Sequence, residues 1–162
     1  MSRAIATLFG VGLLRPGPGT WGSLAALPLF WALHAAGGIA LTLAAVAAVT
    51  AIGFWAVDRA TEGMAEKDPG EIVIDEVAGQ WIALLPVSWG AAFSGADVLA
   101  LWPGWVAGFV FFRAFDIWKP WLVGRADRMP GALGVMLDDL VAGAFAAGAT
   151  LVLGALFHVV LL

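Results

Sequence analysis

The sequence contains no cysteine, which excludes a disulfide framework and any thiolate metal site or thiol nucleophile. It is also poor in charge. Asp, Glu, Lys and Arg make up 12% of its 162 residues, against about 25% in ordinary soluble domains. The 8 bases are outnumbered by 12 acids, and a formal charge of −4 leaves no basic stripe to neutralise nucleic-acid phosphates, so no nucleic-acid partner is expected. No cleavable leader is evident, because a Pro/Gly cluster follows Arg3 and Arg15 where a small-residue cleavage site would stand. No internal repeat or low-complexity tract appears. Histidine is confined to His34 and His158.

What the chain has instead is apolar surface. Hydrophobic residues form 62% of it, against about 45–50% in soluble domains, and the mean hydropathy is +0.94. The expected solvent is a lipid bilayer, and the length suits one domain, residues 1–162. Apolar stretches run from about Trp21 to Ala36, Ile39 to Val57, Ile72 to Phe93, Val98 to Phe112 and Leu133 to Leu162. A spanning helix takes about 20 residues. The expectation is therefore an all-α, multi-helical integral membrane protein with about five membrane-embedded helices. Gly37-Gly38 divides the first two, which form either a tight hairpin or a re-entrant element. Frequent Ala and Gly permit close helix packing.

The bases orient this arrangement, because Lys and Arg collect in cytoplasmic loops. Arg3 and Arg15 precede the first segment, Arg59 and Lys67 follow the second, and Arg113, Lys119, Arg125 and Arg128 lie around the fourth-to-fifth connection. The turns at Gly37-Gly38 and Ser94 to Asp97 contain none. The N-terminus is thus expected in the cytoplasm and the C-terminus outside.

Most acids occupy the same stretches as the bases. Asp58, Glu62, Glu66 and Asp127 read as a solvated rim. Asp75-Glu76 and Asp138-Asp139 differ, being embedded in Ile-Val-Ile-Asp-Glu-Val-Ala-Gly and Gly-Val-Met-Leu-Asp-Asp-Leu-Val-Ala-Gly. An Asp at the bilayer centre costs about 2.5–3.5 kcal/mol, and adjacent carboxylates repel, so four such acids call for a compensating cation. Oxygen ligands without thiolates point to a hard ion, Mg²⁺ or Mn²⁺. On this evidence alone an ion-coupled transporter or channel fits as well.

Two further segments suggest phosphate. In Leu-Arg-Pro-Gly-Pro-Gly-Thr-Trp-Gly-Ser, Gly19 permits close backbone approach, Thr20 and Ser23 offer hydroxyls, and a helix N-terminus follows; a plain helix cap by Thr20 or Ser23 explains the pattern equally well. Arg113, Asp116 and Lys119 recur every third residue and can share one helix stripe, although membrane anchoring plus an ion pair would also account for them.

Taken in order, Pro-Gly-Thr-Trp-Gly-Ser-Leu, Ile-Val-Ile-Asp-Glu-Val-Ala-Gly-Gln-Trp, Phe-Arg-Ala-Phe-Asp-Ile-Trp-Lys-Pro-Trp and Gly-Val-Met-Leu-Asp-Asp-Leu-Val-Ala-Gly resemble the phosphatidylglycerophosphatase A family over about residues 10 to 150. The resemblance implies Mg²⁺-dependent hydrolysis of phosphatidylglycerophosphate to phosphatidylglycerol in the bacterial inner membrane. It further implies that Asp75, Glu76, Asp138 and Asp139 are catalytic metal ligands, that Asp116 joins them, and that Arg113, Lys119, Gly19, Thr20 and Ser23 bind phosphate. Some family members carry His in the loops before the two acid pairs, where this chain has Pro69 and Pro130. Histidine acid–base catalysis is therefore not expected, and His34 and His158 read as structural. Acids near one face argue against a transporter, which needs polar groups at the midplane. A non-catalytic scaffold would have no need for acid pairs beside phosphate-binding cations. Oligomeric state is not legible.

Overall fold

Helix boundaries fall where the sequence supplies breakers. The computed structural model describes residues 1–64 and 69–161, with side chains through 157. Glu66, Lys67, Asp68 and the side chain of His158 lie outside the described residues. The helices are α1 (Ser2–Ala6), α2 (Pro18–Thr61), α3 (Ile74–Ser94), α4 (Trp102–Trp118), α5 (Leu122–Asp127) and α6 (Gly131–Leu161), with 3-10 turns at Leu8–Leu13 and Val98–Leu101. Among the described residues there is no strand, so the chain is all-α as expected. Pro18 opens α2, where its missing N–H costs nothing, and Gly95 ends α3 in the left-handed conformation.

Three helical stretches are long and apolar enough to cross a membrane: Pro18–Thr61, Val98–Trp118 and Gly131–Phe157. The first folds back on itself. At Gly37 and Gly38 the backbone leaves helical geometry, and Gly38 takes φ 59 and ψ −152, a conformation open in practice only to glycine. Before the break, Gly22 packs on Val73, Trp81 Nε1 donates to the Ala26 carbonyl at 2.9 Å, and His34 Nδ1 lies 2.7 Å from Ser88 Oγ. Residues 18–36 therefore run beside α3 in the same direction. After it, Thr42 Oγ1 lies 3.2 Å from Ser88 Oγ and Gly53 sits near Ile74, so residues 39–61 return. The Gly-Gly break makes a helical hairpin. Its arms are about 28 and 34 Å long at 1.5 Å per residue.

α4 runs antiparallel to α3, with Gly104 against Val87, Gly108 against Leu84 and Phe112 against Gly79. α6 crosses α3 at Gly79 and Gly143. A Cβ on Gly143 would collide with the Gly79 carbonyl, and one on Gly79 would meet the Asp139 carbonyl and the Phe112 ring. Bare backbone at both positions lets the helices touch, the usual device for close packing in membranes. Phe30, Val57, Val77, Leu84 and Met136 fill the main core, and Phe112, Val123 and Ala142 a second one. The outside remains apolar, with Trp31, Trp55, Trp89, Trp102, Trp118 and Trp121 exposed. The start of α2, the first turn of α3, the last turn of α4 and the early turns of α6 meet at one end.

Candidate active site

Asp75 and Glu76 occupy the first turn of α3, where the helix dipole favours carboxylates, and Asp138 and Asp139 lie about two turns into α6. The α3–α6 crossing brings the two pairs together. Oxygens of Asp75, Glu76 and Asp139 lie within 4.8 Å of one another, and so do oxygens of Asp116, Asp138 and Asp139. Asp139, only 2% exposed, belongs to both groups.

The groups differ in the cations they hold. In the second, Arg113 Nη1 is 2.7 Å from Asp116 Oδ2, and Lys119 Nζ is 2.7 Å from Asp138 Oδ2. In the first, Arg113 approaches Glu76 Oε1 only to 4.0 Å. Among the described residues, Glu76 Oε2 and Asp139 Oδ2 have no hydrogen-bond partner. Buried carboxylates this close repel each other and lose hydration, so the first group has the chemistry of a hard divalent-cation site: oxygen donors with lone pairs to spare.

Arg113 also ties α4 to α2. Its Nη1 donates to Ser23 Oγ at 3.4 Å, and Ser23 Oγ donates to the Gly19 carbonyl at 2.9 Å. Neither Thr20 nor Ser23 caps α2; the cap position is Gly17, without a side-chain hydrogen bond. A Cβ on Gly19 would run into the Glu76 carboxylate and come within 3.2 Å of Arg113 Nη1. The sequence grouped Gly19, Thr20 and Ser23. The structure brings Gly19 and Ser23 to Arg113, while among the described residues no hydrogen bond joins Thr20 to the acids.

The expected stripe of Arg113, Asp116 and Lys119 stops at Asp116. Helix α4 ends at Trp118, and Lys119 turns off it in the left-handed conformation, φ 48, followed by Trp121 at φ 41. The reversal carries Lys119 Nζ to Asp138 and to Asp127 Oδ1, 2.6 Å away. Burial pulls the ammonium down, but hydrogen bonds to Asp127 and Asp138 outweigh it and hold Lys119 above the ordinary lysine range. Asp127, expected on a solvated rim, thus joins the site through Lys119. Gln80 is a second residue the sequence reading passed over. It is wholly buried one turn deeper than Glu76, and neither amide atom has a partner among the described residues. Its only sequence signal is a polar residue inside the apolar run after the Asp-Glu pair. His34 lies at the other end of the bundle against Ser88.

The sequence model of the phosphatidylglycerophosphatase A family matches residues 4–154. The chain is 40% identical over 145 residues to a phosphatidylglycerophosphatase A of Escherichia coli (strain K12), covering 89% of this chain and 78% of that one. It is 35% identical over 143 residues to the protein of that name in Haemophilus influenzae, covering 88% and 82%. A Bacteroides thetaiotaomicron protein, provisionally named a phosphatidylinositol-3-phosphatase, is 35% identical over 145 residues, covering 87% and 86%. No solved structure matches the chain. A family match over nearly the whole length, with each of the four sequence motifs contributing to a single cluster, leaves one conclusion: the chain belongs to the phosphatidylglycerophosphatase A family.

Proposed function

We propose that the chain is a Mg²⁺-dependent lipid phosphatase that hydrolyses phosphatidylglycerophosphate to phosphatidylglycerol and phosphate. The single observation that carries this reading is the double carboxylate group sharing Asp139, with Arg113 beside it. Asp75, Glu76 and Asp139 would hold the ion, and the open oxygens of Glu76 and Asp139 suit its preference for hard donors. When bound, Mg²⁺ polarises phosphoryl oxygens as a Lewis acid. Asp138, expected among the ligands, has one oxygen on Lys119 and the other accepting from the Asp139 amide, so its part is to orient both neighbours.

Phosphoryl transfer spreads charge over the phosphoryl oxygens, so catalysis depends on positioned positive groups. Arg113 supplies one, fixed from two sides by Asp116 and Ser23. Lys119 supplies another, fixed by Asp127 and Asp138. Gly19 keeps the mouth between Glu76 and Arg113 free of a side chain. We read the two arms of α2 with α3, α4 and α6 as five spans of the bacterial inner membrane. Arg3, Arg15, Arg59, Arg113, Lys119, Arg125 and Arg128 then face the cytoplasm, as the distribution of bases favours.

The test is phosphate release by purified protein from defined lipids in micelles. Release from phosphatidylglycerophosphate is expected, abolished by a chelator and restored by Mg²⁺. No release from that lipid refutes the reading. The Bacteroides relative's name makes phosphatidylinositol 3-phosphate the comparison substrate, and hydrolysis of it alone would transfer the assignment to inositol lipids. Against a transporter, the far-end polar side chains His34, Thr42 and Ser88 satisfy one another rather than facing an ion path. Ion flux in proteoliposomes without phosphate release would favour the transporter.

A further inference from the structure

The seam between the first arm of α2 and α4 changes character along its length. At the site end Ser23 and Arg113 close it, hydroxyl to guanidinium at 3.4 Å. Residues four and eight apart share a helix face. Leu27 and Trp31 therefore continue the Ser23 face of α2, and Phe109 and Trp105 continue the Arg113 face of α4. The two faces run antiparallel, polar at one end and apolar at the other. Beyond the polar end the seam opens into a groove of about 290 Å³ lined by Leu27, Pro28, Trp31, Leu99 and Trp105. Trp105 is fixed there. Its Nε1 donates to the Val98 carbonyl at 2.9 Å, and its ring meets Phe30 edge-on at 5.7 Å. With that N–H engaged, the groove presents no polar side chain to a ligand.

Depth identifies the occupant. Leu27 and Trp31 lie about 12 and 18 Å along α2 from Gly19 at 1.5 Å per residue. The headgroup layer of a bilayer is about 5–8 Å thick on each side, so the groove lies at hydrocarbon depth when the acids lie at the interface. A single ligand that fills both ends carries a phosphate and, beyond it, a hydrocarbon chain. A soluble phosphomonoester would leave the apolar end empty. We infer that the groove holds one acyl chain of the lipid whose phosphate meets Arg113. This inference rests on the lipid-phosphatase reading and adds to it a subsite for chain length.

The experiment compares kcat/KM for phosphatidylglycerophosphate with sixteen-carbon chains and with two-carbon chains, which are too short to fill the groove, in wild type, Leu27→Trp and Leu99→Trp. Filling the groove should lower the ratio of long-chain to short-chain kcat/KM by about tenfold, the scale of discrimination in an apolar pocket. In parallel, a photoreactive substrate with its crosslinker midway along one chain should label the peptides containing Trp31 and Trp105 in wild type, and label them less in Leu27→Trp. A ratio unchanged in both variants, or label spread evenly over the exposed helices, would overturn the inference and leave the groove to ordinary bilayer lipid. Equal losses on both substrates mean damage to the fold, and the labelling pattern in wild type then decides alone. Those results leave the phosphatase reading standing, which falls only when wild type releases phosphate from neither lipid.

Discussion

The two carboxylate groups that share Asp139 are built from the same residue type and lie side by side, yet among the described residues only one is joined to cations at bonding distance. Asp116 and Asp138 spend an oxygen each on Arg113 and Lys119, whereas Glu76 Oε2 and Asp139 Oδ2 face no donor among the described residues. The difference separates two tasks that the sequence merges. On the proposed reading, acids with protein cations steer those cations toward phosphate, and acids with open oxygens are suited to a metal ion. A buried ion pair broken on one side leaves an uncompensated charge, so the two kinds of acid should fail in different ways.

The sharpest way to break the contrast is Asp139→Asn, which strikes both groups and should cost about 10³-fold in phosphate release, the upper range for one buried electrostatic group. It should weaken Mg²⁺ dependence as well, and adding Asp75→Asn should cost little more, because both substitutions disable one step. An additive double loss would separate the two residues. Next comes Gly19→Ala. Its Cβ displaces the end of a flexible side chain, Glu76, so a loss near 10²-fold is expected from misplacement of about 1 Å, with no change in thermal midpoint. Gly143→Ala is the control: there the Cβ meets backbone, and stability should fall by about 1–3 kcal/mol.

Asp138→Asn should lose about tenfold, the lower end for residues that orient a functional group, with the Mg²⁺ titration nearly unshifted. A large shift there would make Asp138 a ligand and dissolve the contrast. The smallest effect belongs to Asp127→Asn. Its bond to Lys119 is short but partly exposed, and such pairs contribute about 0.2–1 kcal/mol, so a loss of at most about fivefold is expected, seen in KM rather than kcat.

Much of this was readable in advance because the chemistry-bearing residues sit in apolar runs where a charge is conspicuous. Asp75, Glu76, Asp138, Asp139, Arg113 and Asp116 all reach one cluster. The break at Gly37-Gly38 was equally visible, and its consequence, two arms packed along α3, needed only the contacts at Ser88 and Ile74. Asp127 was missed for a physical reason. Between Arg125 and Arg128 it looks like one charge among several, and its meeting with Lys119 depends on positive φ at Lys119 and Trp121, which no glycine or asparagine announces. Gln80 was missed because one buried amide in an apolar helix leaves no periodic trace. The division of labour between the carboxylate groups was also hidden, since adjacency in sequence puts Asp138 and Asp139 together while the α3–α6 crossing gives them different neighbours.

That crossing also orders events in time. Each carboxylate group needs Asp139, and Asp139 lies on α6, which follows every other helix in the chain. As the protein is synthesised and inserted, α2, α3 and α4 can settle against one another with Asp75, Glu76 and Asp116 in place and neither group assembled. Only when Gly143 seats on Gly79 does the cluster close. If the cluster is the active site, as proposed, a nascent chain is inert toward its own membrane until α6 has seated.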